Sequence, residues 1–359
     1  MKLSLFTISL VTGLLCVGGG LAQSNSLLPS NSSLAPSQQR SPQPSDLAVL
    51  RSSKTAVNAW TFLFPVKCDH SGNLYLRNAP DGVPGLHKLS PEGKQLLVIE
   101  PKGAVTGEEI DRAAYFSLTR EDYVYQIVSS WKKRERLVYV YRPDGSLKSY
   151  VKLNTKFPWT AAQVAAFPSG NILVTGLEYD RDLKAARWPF NGIFSPEGNL
   201  IKEIKLADDE QIHDMAAVGD ARVAPPEAPG VNHAVGLGAA DLADDGNIYL
   251  MRRLSPAIIY AISPSGEVLR RFTVDAGPDY MPDSMHISGN RIAVQLDHPQ
   301  SGDQIIKVVD LEGHEVASYH LERGSPLGYA IACYSANPDR FTFLGDEDSH
   351  LTLDVAGPK

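Results

Sequence analysis

Short apolar segments recur along the chain from Phe62 onward, and their hydrophobic pattern takes two forms. In one form every position is apolar, as in Leu74-Tyr75-Leu76 and Ile172-Leu173-Val174. In the other, apolar and polar residues alternate, as in residues 201–206 and 268–272. The first pattern is typical of a strand covered on both faces, and the second of an outer strand with one wet face. The sequence lacks a long amphipathic helical pattern, so an all-β protein is predicted.

Turn phrases centred on glycine separate these segments and return at intervals of roughly 50 residues. One phrase is Ser-Pro-Glu-Gly or a close variant, and the other is a Gly-Asn phrase. The glycines of the first phrase are Gly93, Gly145, Gly198, Gly266 and Gly313, and those of the second are Gly72, Gly170, Gly246 and Gly289. Two hairpin turns per repeat predict a β-propeller with four-stranded antiparallel blades.

The repeats predict six blades, of which the last is degenerate. In that blade, from Gly328 to Val355, Asn337-Pro338-Asp339 replaces the Gly-Asn phrase, and the chain stops after about three strands. An open sheet edge would expose unpaired backbone groups. We therefore expect an N-terminal strand near residues 46–50 to supply the missing strand and close the ring. The alternative is a sixth blade of three strands.

Two cysteines, Cys68 and Cys333, remain after the predicted signal segment. Each lies a few residues before the first turn of its blade, and the two blades are neighbours if the ring closes. Two interpretations stay open: a disulfide that joins the first and last blades, or two buried thiols that pack as small hydrophobic groups.

The first 46 residues differ from the rest in composition. Residues 1–22 combine a positive start, an apolar stretch and a small-residue end near Ala22, as a cleaved secretory signal does. A lipoprotein signal at Cys16 is disfavoured, because Gly13-Leu14-Leu15-Cys16 places a bulky Leu where that signal needs a small residue. Residues 23–46 are rich in Ser, Pro and Gln and predict a disordered spacer, which leaves 47–359 for the propeller. No later segment has the length of apolar sequence that a membrane span needs, so we expect a secreted or periplasmic protein.

The net charge of −7 is spread along the chain. The sequence contains no basic stripe, and the prediction is that nucleic acid is not a partner.

Residues 244–250 (DDGNIYL) and 262–268 (ISPSGEV) resemble the NHL-type six-bladed propeller repeat. The resemblance extends from about Phe62 to Val355 and concerns the type of blade more than any activity. Propellers of this type include protein- and RNA-binding platforms and peptide-amidating lyases, and their close cousins include calcium-dependent lactonases. The chain departs from the pattern at Glu121-Asp122 and at Asn337-Pro338-Asp339.

Two loops on one predicted face carry aromatic and basic residues, and a third is long and acidic. The candidate binding residues of this face are Trp131, Arg134, Arg187, Trp188 and His213. The connection 207–240 carries six acidic residues up to Gly230, against Arg222. It is either a lid over the central mouth, attracted by the basic loops, or a solvated acidic flap.

Polar residues at the ends of the second strands are expected near the central mouth. Arg77 and Arg252 are candidate binding residues there, while Glu178, Asp297 and Asp346 could supply oxygen ligands to calcium. The alternative is that all five are hydrated mouth residues. The histidines are too scattered to indicate a zinc site.

The sequence shows a binding platform without a complete catalytic apparatus. We expect an exported binding or scaffolding propeller with a protein, peptide or glycan as partner and without a cofactor. The alternative is a metal-assisted hydrolase or lyase, similar to a lactonase, that acts at the channel mouth with calcium. The oligomeric state does not follow from the sequence.

Overall fold

The computed structural model describes residues 44–79, 85–101, 110, 112–130, 135–155, 157, 159–180, 185–218, 234–235 and 238–359. The predicted signal segment and nearly all of the predicted spacer lie outside these residues. No helix in this part of the chain is long and apolar enough to cross a membrane.

The described chain folds into antiparallel sheets, in which consecutive strands pair in order. Four separate sheets have four strands each. Their strands are β2 Phe62–Cys68, β3 Leu74–Asn78, β4 Gly85–Leu89 and β5 Gln95–Ile99; β6 Arg112–Leu118, β7 Val124–Ser130, β8 Glu135–Tyr141 and β9 Leu147–Lys152; β10 Trp159–Ala166, β11 Ile172–Asp180, β12 Ala185–Phe194 and β13 Leu200–Glu203; and β14 Ala239–Leu242, β15 Ile248–Arg252, β16 Ala257–Ile262 and β17 Val268–Val274.

A fifth sheet has eight strands and contains both ends of the described chain. Its members are β1 Ser45–Asn58, β18 Met281–Ser288, β19 Arg291–Asp297, β20 Gln304–Asp310, β21 Glu315–Leu321, β22 Ala330–Ser335, β23 Arg340–Glu347 and β24 His350–Pro358. Strand β1 pairs antiparallel with β24 from Leu47 to Asn58 and parallel with β21 only at Ser45 and Asp46. The sheet is thus two four-stranded units joined at a short parallel contact.

The fold is a β-propeller with four-stranded antiparallel blades. The first strands contact one another in the cyclic order β2, β6, β10, β14, β18, β22 and back to β2. The described core is divided into apolar clusters that each lie between two successive units. One such cluster joins Leu173 and Ile193 to Ile248 and Leu250, and another joins Val66 and Leu74 to Leu344 and Leu353. Apolar burial therefore holds neighbouring units face to face.

The predicted turn glycines adopt the left-handed backbone that these hairpins need. All nine have φ between +61° and +92°. At Gly198 a Cβ atom would lie 1.9 Å from the Lys152 carbonyl oxygen, so only glycine fits there. Asp122 (φ 59°) and Asn337 (φ 61°) adopt the same conformation where the phrase departs from its pattern. Asp and Asn are the residues that tolerate this region best after glycine.

The structure corrects two expectations from the sequence. A helix, α1 (Asp209–Val218), lies in the connection after β13 and contacts β12. The acidic connection also does not begin as a solvated flap, because Asp208 and Asp209 are buried. Asp209 accepts a hydrogen bond from the Leu206 N–H at 2.8 Å, at the start of the helix. Residues 219–233 of this connection lie outside the described residues.

Candidate functional site

A central cavity of about 550 Å³ opens at the upper end of the ring axis, which we define as the end where the first strands begin. Residues from all six first strands line it, including Lys67 (β2), Ala114 (β6), Ala161 (β10), Ala239 (β14) and Met285 (β18). Small side chains on these strands leave the space open. The cavity thus combines elements that are far apart in the chain.

Four cationic side chains line the central cavity: Lys67, Arg77, Arg112 and Arg253. The lining contains one carboxylate, Asp283, and Arg253 Nη2 lies 2.7 Å from it. Arg77 and Arg112 have no carboxylate partner among the described residues. The lining is therefore strongly cationic, and its excess charge resides on these two arginines.

Arg77 ends the second strand of its blade and lies partly under the cavity wall. Its Nη1 donates to the Ala113 carbonyl oxygen at 3.1 Å, and its Nη2 donates to the Phe64 carbonyl oxygen. The buried Nε atom has no hydrogen-bond partner among the described residues. Burial, followed by the charge of Arg112, lowers the pKa of Arg77 to about 10. The guanidinium therefore stays charged at neutral pH in a place that disfavours its charge.

The floor of the central cavity is formed by Lys67, Tyr115 and His286. Lys67 forms a buried ion pair with Asp241, and its Nζ lies 5.0 Å from the centre of the Tyr115 ring. Burial and the charge of Lys67 lower the pKa of His286 to about 3, so the imidazole is neutral at physiological pH. The His286 Nε2 atom is buried and has no hydrogen-bond partner within the described part of the chain.

A lower cavity of about 370 Å³ lies on the other side of this floor, and Lys67 and His286 line both cavities. Its Arg and Lys side chains are paired with carboxylates. Arg120 lies 2.9 Å from Asp244, and Lys67 pairs with Asp241. Asp69, also in this lining, pairs with Lys88 at 3.0 Å. The lower end of the axis is thus close to charge balance.

Cys68 and Cys333 form a disulfide that lines the lower cavity. Their Cα atoms lie 5.4 Å apart, and the bridge joins β2 to β22 across 265 residues of chain. It therefore connects the first sheet to the unit that contains the end of the chain.

Of the two arginines predicted at the mouth, the structure places Arg77 there and Arg252 elsewhere. Arg252 is fully buried, with Nη2 2.9 Å from Asn191 Oδ1 and 3.0 Å from Asp209 Oδ1. Its Nε lies 3.3 Å from Asp208. Arg253, the next residue, reaches the cavity instead, because successive side chains leave an extended chain on opposite sides. Arg252 has a structural role.

The residues predicted for the loop face are only partly described. Trp131 and Arg134 lie outside the described residues, and Arg187 belongs to β12 with its side chain outside them. Trp188 stacks on His213 of α1, with ring centres 3.6 Å apart and an interplanar angle of 6°. This contact fixes the helix against β12, and neither residue lines the central cavity.

The structure does not bring the three predicted calcium ligands together. Glu178 pairs in register with Trp159, and burial followed by the charge of Glu203 raises its pKa. Burial followed by the charge of Asp283 raises the pKa of Asp297 to about 6. Asp346 is exposed in a separate groove beside β1 and β24. The described residues contain no group of three or more His, Cys, Asp or Glu residues that could hold a metal ion.

Sequence reasoning missed Lys67, Arg112, Arg253 and His286. Lys67 and Arg112 each occupy a first strand whose other residues are largely apolar or small, and this contrast is the signal that could have identified them. His286 has the same kind of neighbours but is followed by polar turn residues. The position of His286 between the two cavities depends on strands that are distant in the sequence, so local sequence does not indicate it.

Comparisons with known proteins give a fold and no family. No family model matches the chain, and no curated protein matches it. A solved structure of a candidate exported protein from Bacteroides fragilis is similar, with a TM-score of 0.52 and 11% sequence identity, over 87% of this chain and 96% of that one. At this identity the likeness concerns the fold alone.

Two further solved structures give lower scores. One is a protein of unknown function from Bacteroides caccae, with a TM-score of 0.45 and 12% sequence identity, over 78% of this chain and 94% of that one. The other is a calcium-binding protein, regucalcin, from Agrobacterium tumefaciens, with a TM-score of 0.45 and 12% sequence identity, over 89% of this chain and 97% of that one. All three comparisons span most of both chains.

Proposed function

We propose that this protein is an exported binding propeller that holds a small anionic ligand in its central cavity. The proposal keeps the binding function expected from the sequence and moves its site from the loop face to the mouth of the channel. Export rests on the signal-like composition of residues 1–22.

The same proposal includes a count of six blades of the NHL type. Two observations support six: the cyclic contacts of six first strands, and the apolar clusters between successive four-stranded units. In this count β1 is the outer strand of the last blade, since it pairs with β24 over most of its length. The turn phrases support the NHL type.

The observation that carries the proposal is a pair of arginines, Arg77 and Arg112, for which the described residues supply no carboxylate partner. Arg112 is exposed and adds positive charge at the mouth of the cavity, whereas Arg77 is half-buried. Removing the Arg77 charge from water destabilises the folded protein unless an opposite charge or several hydrogen bonds compensate it. A bound anion supplies that compensation. Guanidinium groups also bind carboxylates and phosphates through two parallel hydrogen bonds, which gives such a site direction as well as charge.

The charge distribution of the whole chain strengthens this assignment. The protein carries a net charge of −7, yet its central cavity is cationic. A cationic cleft with low-dielectric walls concentrates anions and raises their rate of entry. Apolar side chains such as Phe64, Leu177 and Ile331 provide the remaining wall, so the cavity suits a small organic anion.

The cavity offers little to the alternative of a calcium-assisted hydrolase. Calcium takes six to eight oxygen ligands, several of them carboxylates. Asp283 is the carboxylate among the lining residues, and it already pairs with Arg253. Two unpaired guanidinium groups nearby would repel a divalent cation. The donor set therefore favours an anion.

Calorimetric titration with D-galacturonate and with D-galactose tests the proposal, because the two sugars differ mainly by one carboxylate. We expect the acid to bind at least tenfold more tightly than the neutral sugar. The double variant Arg77→Gln/Arg112→Gln should abolish that preference. Arg323→Gln, an exposed residue outside the cavity, is the matched control. Equal binding of the two sugars, no binding of either, or an unchanged preference in the double variant would contradict the proposal.

A further inference from the structure

A groove of about 610 Å³ lies between the unit of β18–β21 and the unit formed by β22–β24 and β1. It lies at the upper end, because residues 324–329, which lead into β22, line it. None of the described residues that line it also lines the central cavity. We call this groove, which contains Asp346, the seam groove. It is a separate site on the same face of the ring.

The lining of the seam groove is acidic and lacks a compensating cation. Four carboxylate side chains line it: Glu322, Asp346, Glu347 and Asp354. The described lining contains no Lys, Arg or His, and none of the four carboxylates forms an ion pair with another described residue. Lys54, on the neighbouring strand β1, pairs instead with Asp348 at 3.0 Å. The groove therefore attracts a cation from outside.

Two polar residues of the lining are buried and direct oxygen atoms at one point. Asp354 is 6% exposed and Thr352 is 7% exposed. A Cβ atom on Gly345 would lie 2.5 Å from Thr352 Oγ1 and 3.2 Å from Asp354 Oδ2. Because Gly345 has no side chain, both oxygen atoms border the same space in the groove.

These two oxygen atoms have no hydrogen-bond partner among the described residues. Ser52 donates a hydrogen bond to the other carboxylate oxygen, Asp354 Oδ1, and so fixes the direction of the side chain. A buried carboxylate without a cation lowers the stability of the folded protein, and a ligand that supplies positive N–H groups removes this penalty. Thr352 and Asp354 thus form a positioned pair of acceptors.

Tyr329 gives the seam groove an aromatic face that is 46% exposed. Its backbone is held in place: its N–H donates to the Leu344 carbonyl oxygen at 2.8 Å, and its carbonyl oxygen accepts from Gln304 at 2.8 Å and from Gln295 at 3.0 Å. Burial, followed by the charge of Asp346, raises the pKa of Tyr329. A planar cation can lie on such a ring while its N–H groups reach nearby carboxylates.

We propose that the seam groove binds the guanidinium group of an arginine side chain that a partner polypeptide presents. The guanidinium group donates to Thr352 Oγ1 and Asp354 Oδ2 and lies against the Tyr329 ring. The exposed carboxylates of the lining attract it from solution. This inference is independent of the anion site proposed for the central cavity.

The geometry favours a guanidinium group over a metal ion or an ammonium group. Calcium takes six to eight oxygen ligands, and the described residues contain no group of three or more His, Cys, Asp or Glu residues that could hold a metal ion. A guanidinium group offers five N–H donors in one plane, so it can reach both acceptors and stack on an aromatic ring at once. An ammonium group has three donors and no plane.

The test is an NMR titration of the whole protein, at fixed ionic strength, with N-acetylarginine amide and N-acetylcitrulline amide, which have nearly the same shape but differ in charge. We expect the arginine derivative to bind at least tenfold more tightly. Asp354→Asn should abolish that preference, and Thr352→Val should weaken arginine binding by about threefold to tenfold. Asp275→Asn changes the net charge equally at an exposed position outside the groove, and it is the matched control.

Urea unfolding of the same variants separates a binding role from a structural one. Because Asp354 lacks a cation, Asp354→Asn should not lower the free energy of unfolding, and a clear loss of stability would make the residue structural and overturn the proposal. Equal binding of the two derivatives, no binding of either, or a preference that survives Asp354→Asn would also overturn it. If N-acetyllysine amide binds as tightly as the arginine derivative, the guanidinium assignment is wrong.

Discussion

The two ends of the central axis are built from the same first strands, yet they differ in charge. At the lower end Arg120 pairs with Asp244. Lys67, in the floor that both cavities share, pairs with Asp241 of the lower lining. At the upper end Arg77 and Arg112 lack a carboxylate partner in the described part of the chain. A folded protein usually pairs its buried charges, and the half-buried Arg77 departs from this rule while Arg112 is exposed. The end that departs from this rule is the end where a ligand is expected.

Under the proposed function, the pairing of charges distinguishes a structural cavity at the lower end from a binding cavity at the upper end. Cavity volume alone would not distinguish the two ends, since both cavities are large enough for several water molecules. A paired lining contributes to the stability of the empty protein. An unpaired lining lowers that stability and raises affinity for a complementary ligand, because binding removes an existing penalty.

The largest effect is expected at the floor that separates the two ends. Lys67→Met leaves Asp241 buried without its cation and should lower the free energy of unfolding by about 3–5 kcal/mol. The double variant Lys67→Met/Asp241→Leu should recover most of this loss, because it removes both charges. Urea unfolding measures both values. Arg51→Met, which breaks the exposed pair of Arg51 and Glu92, is the control and should cost less than about 1 kcal/mol. A loss at Lys67 no larger than the control would contradict this account.

The disulfide at the lower end should give the next largest effect. Replacing Cys68 and Cys333 by Ser removes a bridge that closes a loop of 265 residues. The expected loss is about 2–4 kcal/mol in the free energy of unfolding. Ligand affinity should stay the same, since the bridge lies below the floor. Thermal and urea unfolding test the first point, and titration with galacturonate tests the second. A loss of affinity without a loss of stability would mean that the two ends are not independent.

The carboxylate beside the upper end, Asp297, should respond to pH. Burial and Asp283 raise the pKa of Asp297 to about 6, so the folded protein holds this proton more strongly than the unfolded chain does. The stability that protonated Asp297 contributes is therefore fully present below about pH 4 and is lost as the pH rises through 6. Asp297→Asn should increase the free energy of unfolding at pH 8 by on the order of 2 kcal/mol and change little at pH 4.

The exposed residue Asp346 provides the control for this prediction. Asp346→Asn changes an exposed side chain and should alter the free energy of unfolding by less than about 0.5 kcal/mol. A gain for Asp297→Asn that is equal at both pH values would indicate a packing effect, and it would contradict the assignment to burial of charge.

The fold could be predicted from the sequence because its signals are local. The glycines of the turn phrases, such as Gly93 and Gly246, mark hairpins wherever the chain reverses, and all have positive φ. A strand near residues 46–50 was expected from the missing fourth strand, and the structure has a strand, β1, from Ser45 to Asn58. Its role in closing the ring is part of the proposed count of six blades. Helix α1 was missed because its apolar face is short, and its position depends on the contact between Trp188 and His213.

The site could be predicted only in part, because its residues belong to different sheets and come together only when the propeller folds. Lys67 and Asp241 are 174 positions apart and belong to different sheets. Arg252 and Arg253 are adjacent, and their side chains leave the extended chain on opposite sides. Only Arg253 lines the cavity. Glu178, Asp297 and Asp346 come from three different strands, β11, β19 and β23, and the sequence alone does not show whether such residues meet.

The most direct test of the central claim compares one arginine from each end of the axis. Arg77→Gln and Arg120→Gln remove the same charge. Arg77 has no carboxylate partner within the described ranges, whereas Arg120 pairs with Asp244. Titration with galacturonate at fixed salt should show an affinity at least tenfold weaker for Arg77→Gln, or about 1.4 kcal/mol in binding free energy, and an unchanged affinity for Arg120→Gln. Equal affinities for the two variants would contradict the claim that unpaired charge marks the upper cavity as the binding site.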